Sequence, residues 1–219
     1  NNLLAEELSP SLSRLEKALC SWLAEAIGLP PGSGGVPASG GSLSNLMALV
    51  VARHQRGLDG VGEAVVFCSA DAHVSLAKAM RVMGLPPGAL RSIAVDAAGR
   101  LDATRLGEDL ANLERRGVPV IAVVATAGTT VRGAVDPLPA IAALCYHHGV
   151  WLHVDGAIGA VFALADSHRH RVAGIDLADS VTVNPQKLLG ITKTSSLLLL
   201  ASPAALSATF ATGLPYMEP

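Results

Sequence analysis

A chain of 219 residues, half of them apolar and only 16% charged, can bury a sizeable core and is too apolar for a disordered tail. Its net charge of −2 and pI near 6.4 leave no electrostatic case for binding nucleic acid or an anionic membrane surface. The longest apolar runs, such as VPVIAVVATAG, are too short to span a bilayer, and the acidic opening NNLLAEEL is not a signal segment.

Residues 10–27 predict a helix with Leu15, Leu19, Trp22 and Leu23 on one stripe, ended by GLPPGSGG. A glycine turn, SGGSLSN, then runs into an apolar helix, followed by a short buried strand, AVVFCSA. HVSLAKAMRVMGL reads as a helix, RSIAVD as a strand, and DATRLGEDLANLERRG as a helix capped by Asp102 and closed by Gly117. VPVIAVVAT is a strand, DPLPAIAALCYHHG a helix with Pro137 in its first turn, and VWLHVDG a strand. DSVTVNP and SSLLLLAS read as two further strands, and PAALSATFA as a helix. Apolar strands alternating with helices predict one α/β domain, a three-layer fold whose mostly parallel sheet carries helices on both faces. Cys20, Cys68 and Cys145 have no CxxC spacing and read as reduced, buried thiols of a cytoplasmic protein.

Sheets of this kind bind ligands at the carboxyl ends of their strands, so polar residues there carry the functional question. Gly41 and Ser42 open a helix whose free N–H groups suit a phosphate, although the same residues make an ordinary N-cap. His73 can stack on a flat ligand or move a proton, or it can cap a helix or face solvent. Thr129 and Thr130 offer hydroxyls beyond a strand, while Asp136 before Pro137 reads as a helix cap. Asp155 ends an apolar strand, where an unpaired carboxylate is costly, and Gly156 and Ala157 leave room for something flat. His153 shares its face and reads as a core histidine. The histidines of HHGVWLH and HRH lack the offsets of a metal site, so no metal is expected. Lys187, in VTVNPQKLLG, sits between apolar neighbours and reads as buried, which disfavours its charged form.

Pyridoxal phosphate needs all of these at once: donors at a helix start, a carboxylate for its ring nitrogen, a flat slot, and an amine for its aldehyde. The stretches NNLLAEELSPSLSRLEKALCSWL, SGGSLSNLMAL, DAHVSLAKA, ATAGTTVRGAVDP, WLHVDGAIGA and DSVTVNPQK resemble, in order, the group II pyridoxal-phosphate-dependent amino-acid decarboxylases. The resemblance implies the large domain of fold type I, a homodimer, and decarboxylation of an amino-acid substrate to an amine. It implies that Lys187 forms the Schiff base, Asp155 pairs with the ring nitrogen, Ala157 packs beneath the ring and His73 stacks above it. Thr130 would lie near the Asp155 end, and Gly41, Ser42 and Asn184 would hold the phosphate.

Two positions depart from the family pattern. Gln186 stands where the family usually has His; it can donate to phosphate but cannot titrate, and this form resembles the diaminobutyrate branch. Ile158 stands where Tyr is frequent. The family's N-terminal segment, catalytic loop and small C-terminal domain are not seen, and the chain opens on Asn, so residues 1–219 are expected to be the cofactor domain of a longer enzyme. Other fold type I enzymes, such as aminotransferases, cysteine desulfurases and lyases, share this architecture, and a non-catalytic binding chain would too.

Overall fold

The computed structural model describes residues 9–210. In chain order, α1 (Pro10–Ala26) leads to β1 (Gly34–Ala38), α2 (Gly41–Gln55), β2 (Val65–Ser69) and α3 (Ser75–Val82). Next come β3 (Leu90–Ile93), α4 (Ala103–Arg115), β4 (Val120–Thr126), α5 (Leu138–His148) and β5 (Trp151–Gly156). A single-turn α6 (Asp166–Arg169) precedes β6 (Ser180–Val183), β7 (Ser196–Leu200) and α7 (Ala204–Phe210). The opening NNLLAEEL and the residues after Phe210 lie outside the described residues.

The seven strands form one sheet in the order β1-β7-β6-β5-β4-β2-β3. The pairs β2–β3, β2–β4, β4–β5 and β5–β6 are parallel, whereas β7 runs antiparallel to both β6 and β1. Alternation along each strand makes the two faces. Phe67, Val123, Leu152 and Val154 pack with Leu23 of α1, Leu106 and Leu110 of α4, and Ile141 of α5. Val66, Cys68 and Val124 pack on the other face with Leu49 of α2 and Leu76 of α3. Helices therefore cover both faces, as the strand pattern predicts. The three cysteines are free and buried. Among the described residues no helix is long and apolar enough to cross a membrane.

Local chemistry sets the ends. Asp102 accepts from the Thr104 and Arg105 N–H groups at 2.9 and 3.1 Å, capping α4, and Gly117 at φ +66° follows its last turn.

Three expectations change. Most of the stripe on α1 faces outward: Leu15, Leu19 and Trp22 are 64%, 49% and 62% exposed, whereas Leu23 is buried as expected and packs with Cys20, Ala24 and the following Ile27. Small Cys20 and Ala24 pack on that side together with the larger Leu23 and Ile27, so the fit against the sheet rather than hydrophobicity alone chooses the buried side. Strand β1 is missing from the sequence reading because Gly34, Gly35 and Pro37 look like a turn. It is an edge strand, where proline is tolerated, and a Cβ on Gly35 would stand 2.0 Å from the Leu198 carbonyl oxygen. Asp136 is no helix cap: α5 starts at Leu138 without a side-chain cap, and Asp136 is buried.

The two Asp136 oxygens accept from the Leu101 and Thr126 N–H groups, each at 2.7 Å, tying the end of β4 to the approach to α4. Burial pushes this carboxyl above its ordinary range, and the two hydrogen bonds oppose the shift. Asp136→Asn turns one acceptor into a donor facing an N–H. It is expected to destabilise the fold by about 1–3 kcal/mol, read as a lower urea midpoint at unchanged slope.

Candidate active site

Strands β4, β5 and β6 end side by side, with Thr126 opposite Asp155 and Asp155 opposite Thr182. Because side chains alternate, Trp151, His153 and Asp155 of β5 and Ser180 and Thr182 of β6 share the face that carries α2. Val154, Val181 and Val183 enter the core on the other side. A polar stripe thus runs beneath a helix and ends at a cavity of about 210 Å³.

Four loops and one helix start line that cavity. Gly41 and Ser42 begin α2, where Leu43 and Ser44 donate to the Gly40 carbonyl at 2.9 and 3.1 Å. The N–H groups of Gly41 and Ser42 sit at the open, positive end of the helix. A Cβ on Gly41 would stand 2.7 Å from the Asn184 amide nitrogen, so the backbone passes close to a buried carboxamide. The Asn184 Oδ1 has no hydrogen-bond partner, and neither has the buried hydroxyl of Thr126. Asn184 follows β6, Ala157 and Ile158 follow β5, and Thr130 follows β4; all line the cavity.

Asp155 is 6% exposed. Its Oδ2 accepts from Asn45 Nδ2 at 2.8 Å and its Oδ1 from the Ala157 N–H at 3.2 Å. His73 is exposed at the cavity wall, with Nδ1 accepting the Ser75 backbone N–H at 3.2 Å and lying 2.9 Å from the Ser75 hydroxyl.

Lys187 also lines the cavity, but it is exposed, which overturns the burial inferred from its neighbours. Strand β6 stops at Val183, the Lys187 N–H donates to the Asn184 carbonyl in a turn, and Leu188 and Leu189 are exposed too. Apolar flanks bury a residue only while the strand continues. Gln186, the remaining expected ligand, is not among the lining residues; its Oε1 accepts from the Ser195 N–H at 2.7 Å.

Two polar lining side chains were missed. Thr126 is the last residue of β4, directly opposite Asp155, and strand register was the only signal for it. Asn45 lies in the quoted SGGSLSN, one helical turn beyond Gly41. It meets Asp155 across 110 residues of sequence. His153 is fully buried beside them, with Nε2 3.1 Å from Asn45 Oδ1 and Nδ1 2.9 Å from the Ser180 hydroxyl. Burial pulls its pKa down to about 4, against the opposing pull of the Asp155 charge. Among the described residues no group of three or more His, Cys, Asp or Glu is placed to hold a metal ion.

The donor set fits pyridoxal phosphate: open N–H groups and a hydroxyl at one end, a hydrogen-bonded carboxylate at another, and a primary amine on the rim. A domain of this class is a cofactor domain of fold type I. The full chain, residues 1–219, matches the family model for the pyridoxal-dependent decarboxylase conserved domain, and the chain belongs to that family.

The human cysteine sulfinic acid decarboxylase is 38% identical over 201 residues, covering 89% of this chain and 41% of that protein. A crystal structure from Vibrio parahaemolyticus shows the glutamate decarboxylase domain of a diaminobutyrate-pyruvate transaminase and L-2,4-diaminobutyrate decarboxylase. It is 29% identical, with a TM-score of 0.89 over 96% of this chain and 48% of that one. The structure of Oryza sativa TDC with PLP and tryptamine is 28% identical, with a TM-score of 0.91 over 99% of this chain and 47% of that one. The chain spans 41% to 48% of the length of these proteins.

The depressed His153 pKa carries a pH prediction. A histidine held neutral in the fold contributes stability that is present above its unfolded pKa and is lost as pH falls toward the folded value. Stability is therefore expected to fall as the pH drops below about 6.5 toward the depressed folded value. Urea midpoints measured across that window should fall for the parent protein and fall less for His153→Gln.

Proposed function

We propose that the chain is the cofactor-binding large domain of a longer, PLP-dependent decarboxylase that converts an L-amino acid to its amine and carbon dioxide. The observation that carries this reading is the convergence of Lys187, Asp155 and the start of α2 on one cavity. When bound, pyridoxal phosphate supplies an aldehyde that takes up an amine and a ring that accepts the electron pair released as carbon dioxide leaves.

Each residue then has a task. Lys187 supplies the amine that anchors the aldehyde. Asp155 presents a carboxylate to the ring nitrogen, and its charge favours the protonated nitrogen. Gly41, Ser42 and Asn184 hold the phosphate with N–H groups, a hydroxyl and an amide. His73 stacks on one side of the ring and Ala157 lies on the other, with Thr130 near the Asp155 end. Gln186 serves the site indirectly, by holding the backbone at Ser195.

A small acidic amino acid is the substrate favoured by the human relative, which is named for cysteine sulfinic acid. A diaminobutyrate-like substrate is the second reading, supported by the Vibrio parahaemolyticus match. A homodimer in the cytoplasm completes the proposal. The outward apolar stripe of α1 is the kind of surface that a second subunit covers, and three free, buried thiols suit a reducing compartment.

Two measurements on the full-length protein test this. Lys187→Ala should abolish the visible absorption band of the protein-bound cofactor imine, and persistence of that band would reject Lys187. Carbon dioxide release from a panel of cysteine sulfinate, aspartate, glutamate and 2,4-diaminobutyrate identifies the substrate. Keto-acid formation without carbon dioxide would replace the reaction with a transfer.

A further inference from the structure

Asn45 is 1% exposed and lies between the two groups that face the cofactor ring in the reading above. Its amide nitrogen reaches Asp155 Oδ2 at 2.8 Å and the Ser75 hydroxyl at 3.0 Å. Its carbonyl receives the Thr182 hydroxyl at 2.7 Å and stands 3.1 Å from His153 Nε2. Both donors and both lone pairs of the carboxamide are used.

The direction of every bond follows from one acceptor. A carboxylate only accepts, so the Asn45 nitrogen must face Asp155 and its oxygen must face Thr182 and His153. His153 therefore carries its hydrogen on Nε2, and its Nδ1 accepts from Ser180, whose oxygen takes the Trp151 indole N–H at 2.9 Å. On the other arm, Ser75 accepts from Asn45 and turns its own hydrogen toward His73 Nδ1. That nitrogen also accepts the Ser75 backbone N–H, so the His73 ring carries its hydrogen on Nε2.

We propose that Asn45 is a positioning residue that sets Asp155 as an oriented acceptor and, by turning the Ser75 hydroxyl toward His73 Nδ1, holds the His73 ring in place and reinforces the Nε2–H form that the Ser75 backbone N–H favours. Its bearing on catalysis rests on the pyridoxal phosphate reading, whereas the bond directions stand on the chain alone. A buried asparagine with a purely structural role would fix the backbone of α2. This one spends neither donor on backbone: one reaches Asp155 at the cavity, and the other reaches buried Ser75, whose hydroxyl contacts His73 on the cavity wall.

The test uses three variants of the full-length protein. Asn45→Asp keeps the shape and the acceptor for Thr182 and His153 but loses both N–H groups and adds a carboxyl beside Asp155. Asn45→Ala removes the group, and Ser75→Ala cuts only the His73 arm. The first readout is the imidazole ¹⁵N spectrum of His73, recorded without cofactor. The second is pyridoxal phosphate affinity by spectrophotometric titration.

Both Asn45 variants are expected to change the His73 signals and to weaken cofactor binding by roughly 10- to 100-fold, the worth of a hydrogen bond to a charged group. Ser75→Ala is expected to change the His73 signals while holding affinity within about threefold of the parent. Parent-like affinity and parent-like His73 signals in Asn45→Asp would overturn the proposal. So would a Ser75→Ala enzyme that loses cofactor as severely as Asn45→Asp. If Asn45→Ala fails to fold, Asn45→Asp decides the matter. Failure of the cofactor reading itself would show in Lys187→Ala, and the cofactor-free His73 spectrum does not depend on it.

Discussion

A negative charge at the end of a buried strand has to be given donors, and this requirement at Asp155 organises the domain. Leaving such a carboxylate unpaired costs several kcal/mol, so a donor must arrive from another element. Asn45 is that donor, and to deliver it α2 has to lie across β5 and β6 with its second turn above Asp155. The same placement brings the first turn of α2 to the cavity. Gly41 and Asn45 are one helical turn apart on one face, a rise of about 6 Å. One rigid helix therefore spaces the open N–H groups of its first turn from the carboxylate, and neither can drift without the other.

The parallel core was legible because its strands are short, continuous and rich in valine, as in VIAVVAT, and such runs have few alternatives once helices flank them. Strand β1 was not legible. Gly34, Gly35 and Pro37 carry no strand preference of their own, and their pairing comes from β7, where Val36 lies opposite Leu198. The outward stripe of α1 shows a similar limit, since its sequence offers two apolar faces and only the sheet decides between them.

Site residues divide along the same line. Asp155 and Lys187 could be read because each follows a recognisable strand and has chemistry that a strand end does not need. The burial of Lys187 was misjudged because Val183 ends β6 and the turn after it carries even Leu188 and Leu189 to the surface. Asn45 was passed over because an asparagine early in a helix looks like turn chemistry, and its purpose depends on Asp155, His153 and Thr182, all distant in sequence. Asp136 looked like a cap for the same local reason and proved to be a tie between β4 and Leu101.

The hydrogen-bonded stripe has an optical consequence. It begins at the indole of Trp151, half-buried and bonded to the hydroxyl that contacts His153, while the chain's other tryptophan, Trp22, stands in solvent on α1. A Trp22→Phe substitution would remove the emission from α1. The remaining emission would come from a fluorophore wired to the interior, whose colour and lifetime register rearrangements beneath α2 without any label being attached.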